Sequence, residues 1–236
     1  MTDQEEVQEE EEKELIQYSG NFGGIDQESQ FWDDYEEMGE EELLKHKIVK
    51  IKIFTGELSG KKAIFGIDVT YKNITNGEIK KTKEHRGSEQ FLDSKEFEIG
   101  PDEYLINFHI RFTNEANYIS QLGFETNKEH SILEGSEEGE DKTITSNGGD
   151  NIIIGTFGCL NKKLDAMGIL FISKKEYFKK KLFRFFMLRN LVKKDPKFKK
   201  TWDEKYNELS NDFKCLWRTV NLPDTAFAPI IKYCYL

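Results

Sequence analysis

IIIGTFGCLNKKLDAMGILF, residues 152–171, holds two apolar runs parted by polar residues. It reads as a strand, a polar turn containing Gly158 and Asn161, and a second strand entered through Leu164-Asp165-Ala166-Met167-Gly168. The turn also carries chemistry. A short carboxylate beside exposed loop backbone can grip vicinal hydroxyls: it accepts hydrogen bonds while main-chain N–H groups donate to hydroxyl and ring oxygens. Such a grip needs neither a metal nor a covalent step.

The same texture runs upstream to about Ser19. IVKIKIF at 48–54 alternates strictly, as a half-buried strand does. Further strand candidates are KKAIFGIDVTY from Lys61, EIKKTKEH from Glu78, residues 104–112, ANYISQLGFETN from Ala116 and DKTITS from Asp141. Turn signals fall between them at Asn76-Gly77, Gly100-Pro101 and Asn147-Gly148-Gly149-Asp150. Long helices do not alternate with these runs, so an all-β domain over residues 18–173 is expected in place of a parallel α/β sheet.

Beyond Ser173 the pattern changes. Asp195-Pro196 has the form of an N-cap followed by proline at the first helical position. Phe198, Trp202, Tyr206, Leu209, Phe213, Leu216, Trp217 and Val220 then recur at helical steps until Asn221-Leu222-Pro223. Residues 174–194 are expected to be helical too, with apolar positions nearly encircling the axis. Residues 174–236 thus read as a basic, aromatic helical extension that packs on the β domain or docks to another protein.

The chain has 236 residues, 33% of them charged and 37% hydrophobic, with a net charge of −10. That suits one large domain, or one domain with an extension. The opening MTDQEEVQEEEEKE is an acidic run, and residues 1–17 are expected to be a flexible tail. Three cysteines without metal-type spacing point to free thiols in a reducing compartment. With no apolar signal region and no run long enough to span a bilayer, a cytoplasmic location is expected.

Catalytic patterns are missing. The four histidines have no paired spacing for a metal, and there is no phosphate-binding glycine loop or nucleophile elbow. Asp33 and Asp34, adjacent in an expected strand, would face opposite ways, which is poor geometry for acid–base work. No catalytic residue, metal or cofactor is assigned, and enzyme activity is not expected. The aromatics among the lysines of 179–200 follow helical burial, and the acidic net charge opposes phosphate binding, so no nucleic-acid partner is expected.

Five segments, in order, resemble the jacalin-related lectin family. YSGNFGG at 18–24 with FWDD at 31–34 is similar to the family's glycine-rich opening and aromatic-Asp-Asp step. HRGS at 85–88 resembles its middle loop, and FEIGPDEYLINFHI at 97–110 the strand–turn–strand after it. ISQLGFETNK at 119–128 is closely similar to another family strand, and 152–171 to the closing segment with its Gly-x-x-x-Asp turn. The resemblance covers about residues 18–173. It implies a mainly β fold: a β-prism of three antiparallel sheets, here with the C-terminal α-helical extension.

The resemblance also implies a non-catalytic site for a hexose such as mannose, on a glycan or glycoconjugate, at one end of the prism. Asp165 would be the acceptor, the backbone N–H groups of Lys162 and Lys163 the donors, and Gly24 part of the opening. Two positions depart from the pattern. The loop glycine falls on Asn161, which tolerates positive φ. The glycine that approaches the sugar falls on Ser29, whose side chain either blocks the pocket or adds a hydroxyl contact. Asp165 has a second reading, capping its own turn; Lys162 and Lys163 either draw anionic glycans or are simply solvated. His85, read as an exposed loop imidazole, is a secondary ligand candidate.

Two functions follow. One is a carbohydrate-binding module. The other is an assembly protein with a lectin-like fold and a degenerate sugar site, docking a protein partner through 196–236. An open pocket between 20–29 and 158–165 favours the first, and a pocket filled by Ser29 favours the second.

Overall fold

The computed structural model describes residues 15–178 except 75, 83–84, 88–92, 114–117 and 146–149, together with positions 194, 197 and 200. The alternating apolar positions around 48–54 build the longest ribbon. Strands β4 (His46–Leu58) and β5 (Lys61–Asn73) pair antiparallel along their whole length. Ser59 and Gly60 close this hairpin with φ of 53° and 80°, left-handed values that match the twist of the flanking strands. The sheet is completed by β8 (Asp93–Glu98) on β4, and by β6 (Ile79–Lys81) and β7 (His85–Arg86) on β5.

A second antiparallel sheet runs in the order β11 (Ser131–Gly135), β10 (Tyr118–Thr126), β9 (Leu105–Thr113), β12 (Glu140–Thr145). The third runs β1 (Gln17–Tyr18), β14 (Leu164–Ser173), β13 (Asn151–Leu160), β3 (Gln30–Asp33), with β2 (Phe22–Gly23) also on β14. Each sheet turns one face inward. Ile51, Ile53 and Ile67 meet Phe108, Ile110 and Leu122 and then Ile152, Met167 and Ile169, none more than 2% exposed. Each such side chain contributes about 1.5–3 kcal/mol through burial. The expected β-prism of three antiparallel sheets is the fold.

Several local expectations need correction. Asp33 and Asp34 do not share a strand: β3 ends at Asp33 and the chain enters two short helices, α1 (Asp34–Met38) and α2 (Glu40–Lys45). Asp33 caps α1, its Oδ1 accepting from the Tyr35 N–H at 2.7 Å. Gly158 lies inside β13, so the turn is confined to residues 161–163. EIKKTKEH does not form one strand, because Thr82 breaks off the pairing of 79–81 before 85–86 pair separately. Strand β11 had no sequence signal in the reading above.

The packed unit also runs past its expected bounds. Ile16, placed by sequence in the flexible run, is buried in the core. Residues 174–178 are helical, and Tyr177 is buried against the same core. The acidic residues 1–14, the remainder of the 174–194 segment save position 194, and the expected helix over 196–220, apart from isolated positions 197 and 200, lie outside the described residues.

Candidate functional site

The site starts from a glycine. Gly23 has φ of 117°, and a Cβ there would sit 2.2 Å from the Asp165 carbonyl oxygen. Only glycine lets β2 lie this close on β14. The Gly24 N–H donates to the same carbonyl at 3.2 Å, so the glycine-rich opening is fastened to the Asp165 backbone. The β13–β14 register shifts between Cys159 and Leu160, which makes Asp165 the extra residue of a bulge. A bulge re-aims its side chain away from the strict alternation of the strand.

The Asp165 carboxylate is 1% exposed. Its Oδ2 accepts from the Ser29 hydroxyl at 2.8 Å, and its Oδ1 is 3.2 Å from the Lys163 ammonium. It caps neither its own turn nor its own main chain. Ser29 is itself held in a tight turn: its Oγ accepts from the Asp26 N–H at 3.1 Å, and its N–H donates to the Asp26 carbonyl at 3.1 Å. Beneath them lies the Cys159 thiol, fully buried. Burial, and then the nearby Asp165 carboxylate, push that thiol above its ordinary value.

In the 161–163 turn the Asn161 N–H donates to the Lys163 carbonyl at 3.1 Å. Asn161 does not adopt the left-handed conformation expected of it. The N–H groups of Lys162 and Lys163 make no hydrogen bond to the described residues. Lys162 is exposed, whereas Lys163 is half-buried with its charge on Asp165, so it is not simply solvated. The middle loop closes in from the side, since a Cβ on Gly87 would lie 2.1 Å from the Lys162 carbonyl.

The structure therefore brings Asp165, Ser29, Gly24 and the 161–163 turn together, and leaves out His85. That imidazole is not an exposed loop ligand. It is buried and stacked on Trp32, with ring centroids 4.6 Å apart and planes at 18°. Two apolar side chains that sequence reasoning missed are exposed nearby: Ile25 at 60%, in the loop, and Phe31 at 67%, on the strand leaving it. The signal for Phe31 was the strand alternation beside buried Trp32. Chemically, the cluster offers one carboxylate, one hydroxyl, one ammonium and two amides, a donor–acceptor set suited to a polyol. Among the described residues no group of His, Cys, Asp and Glu is placed to hold a metal ion, and no helix is long and apolar enough to cross a membrane.

Known proteins share this fold. Jacalin-related lectin 44 of Arabidopsis thaliana is 31% identical over 116 residues, which are 48% of this chain and 19% of that protein. The match thus spans about a fifth of the relative's length. AcmJRL, a mannose binding jacalin related lectin from Ananas comosus, superposes with a TM-score of 0.52 at 20% identity, covering 67% of this chain and 98% of its own. Artocarpin complexed with Me-alpha-mannose gives 0.53 at 22%, covering 68% and 99%. Calystegia sepium agglutinin gives 0.53 at 20%, covering 68% and 98%. At these identities the likeness is one of fold. A profile of the Jacalin-like lectin domain matches residues 19–170, a stretch that takes in strands of all three sheets and the Asp165 turn. The chain belongs to the jacalin-like lectin domain family.

Proposed function

We propose that this chain is a non-catalytic carbohydrate-binding module that takes a hexose such as mannose between the 24–29 loop and the 161–163 turn. The observation that carries this reading is the seating of the Gly23-Gly24 opening on the Asp165 backbone, which sets that carboxylate beside the 161–163 turn. The Ser29 hydroxyl donates to Asp165 Oδ2 at 2.8 Å as a sugar hydroxyl would, and the Lys162 and Lys163 amides bond to none of the described residues. Exchanging the serine hydroxyl for a sugar hydroxyl keeps the bond on Asp165 and costs the bond from the Asp26 N–H to Ser29 Oγ. Gly24 lets backbone approach the ring, and Asn161 shapes the turn. Family membership and the mannose complex of artocarpin support the same reading. Binding of this kind involves no proton transfer and no leaving group. A cytoplasmic location goes with the sparse cysteines, of which Cys159 is free and buried.

Burial, and the Ser29 hydroxyl standing where a sugar hydroxyl would, favour a second reading. Asp165 is 1% exposed and both its oxygens are engaged. In this reading the prism is a scaffold with a self-occupied pocket, and residues 196–236 dock a protein partner. Calorimetric titration with methyl α-mannoside separates the two. The unmodified chain is expected to bind, Ser29→Gly to bind about tenfold more tightly, and Asp165→Ala not at all. Binding by Ser29→Gly alone assigns the protein to the second reading. Silence from all three removes the sugar reading altogether.

A further inference from the structure

The outer face of the first sheet is concave. A cleft of about 950 Å³ runs across it, lined by six cationic side chains and three carboxylates. Register sets the cations in rows: Lys50 lies beside Thr70 and Lys81, and Lys47 beside Lys72. All three carboxylates are already engaged. Glu96 and Glu98 lie 3.0 and 3.4 Å from the Lys50 ammonium, and Asp68 2.7 Å from the Arg86 guanidinium. Lys72 and Lys81 make no ion pair among the described residues, and Ile79 between them is exposed. An excess of positive charge thus sits on one face of a chain whose net charge is −10.

We propose that residues 1–14 of the same chain dock on this face. That segment carries eight carboxylates against one lysine, so its charge complements the cleft. It also departs from the right place. Gln17 pairs with Phe171, which brings residues 15–16 to the Ser173 end of β14. At that end Ile152, Ile153, Ile154 and Tyr177 share a small apolar cavity with His46, Lys47 and Ile48, the beginning of β4. Lys47 and Lys72 form the same end of the cleft. Fourteen residues reach about 46 Å when extended, whereas four strands measure only about 15 Å across. Tethering holds the segment at an effective concentration of order millimolar, an advantage that a free polyanion lacks.

Carbodiimide coupling of the intact chain at low ionic strength, followed by peptide mass mapping, tests the idea. Amide links from residues 9–12 to Lys72 and Lys81 are expected within single chains, and should vanish near 0.5 M salt, where the screening length is only about 4 Å. The variant E9Q/E10Q/E11Q/E12Q should lose these links. Its Lys72 and Lys81 should acetylate about fivefold faster, while Lys128 is unchanged. Thermal unfolding identical to that of the unmodified chain checks that the variant keeps its fold. Links only between chains, links to other lysines, or equal acetylation rates overturn the proposal. So does protection of Lys72 and Lys81 by a sulfated oligosaccharide in chains whose rates ignore the tail substitutions.

Discussion

Asp34 gathers three hydrogen bonds on one of its two carboxylate oxygens. Its Oδ2 accepts from the Tyr71 hydroxyl and from the N–H and hydroxyl of Thr156, while Oδ1 has no partner among the described residues. Burial outweighs those bonds and pushes the carboxyl up to about 6 from 3.8. The folded chain therefore binds this proton more tightly than the unfolded chain. Stability from this group is full below about pH 4 and declines as pH rises to about 6, by roughly 3 kcal/mol. Asp34→Asn is expected to flatten that slope when thermal midpoints are compared from pH 4 to 7. A slope identical to that of the unmodified chain would place its origin elsewhere. Residues of the site were legible in the sequence as types and positions, because the Asp165 turn and the opening glycines are local patterns. Their bonds were not. Ser29 meets Asp165 across 136 positions, and the Lys163 side chain, rather than its amide alone, faces the carboxylate.

At the scale of elements, the long strands were readable because alternation over many residues has one explanation. Strand β11 was not, since Ile132 is the only residue of 131–135 that is buried. Helices α1 and α2 are too short to show a period, yet α1 had a start signal in Asp33 followed three positions later by Glu36. Gly158 misled for a physical reason: it resembles a turn residue, but its missing side chain makes room for the Trp32 ring, 2.5 Å from where a Cβ would sit. Asp33 joins two elements, capping α1 through Oδ1 and accepting from the Tyr18 hydroxyl at 3.0 Å through Oδ2. Burial, and then Asp33, hold that phenol above its ordinary value. Asp33→Ala is expected to lower stability by about 1 kcal/mol in urea unfolding and to bring the Tyr18 ionisation down toward 10. A phenol that titrates as before would break the link between cap and strand.

Across the whole molecule, the sheets are joined by charge as well as by the shared core. Glu134, on the edge of the second sheet, receives Lys62 at 2.6 Å and Lys95 at 2.9 Å, both from the first sheet. Burial works against its charge, but the two lysines prevail and hold the carboxyl below its ordinary 4.5. This contribution is present at neutral pH and is lost as pH falls through the lowered value, the opposite slope to Asp34. Glu134→Gln is expected to cost about 1 kcal/mol at pH 7, with the difference shrinking in acid. An equal loss at both pH values would make the effect one of packing. No local pattern announces a bond between strands 72 positions apart, so this clamp was invisible in the sequence.

The buried Cys159 thiol has its own consequence. It lies under the Ser29–Asp165 contact with no exposed surface, in surroundings that keep it protonated. An alkylating reagent can reach it only in the moments when that contact parts. With Cys215 and Cys234 replaced by serine, the rate of its modification becomes a stopwatch for the loop's breathing, readable before any ligand has been found.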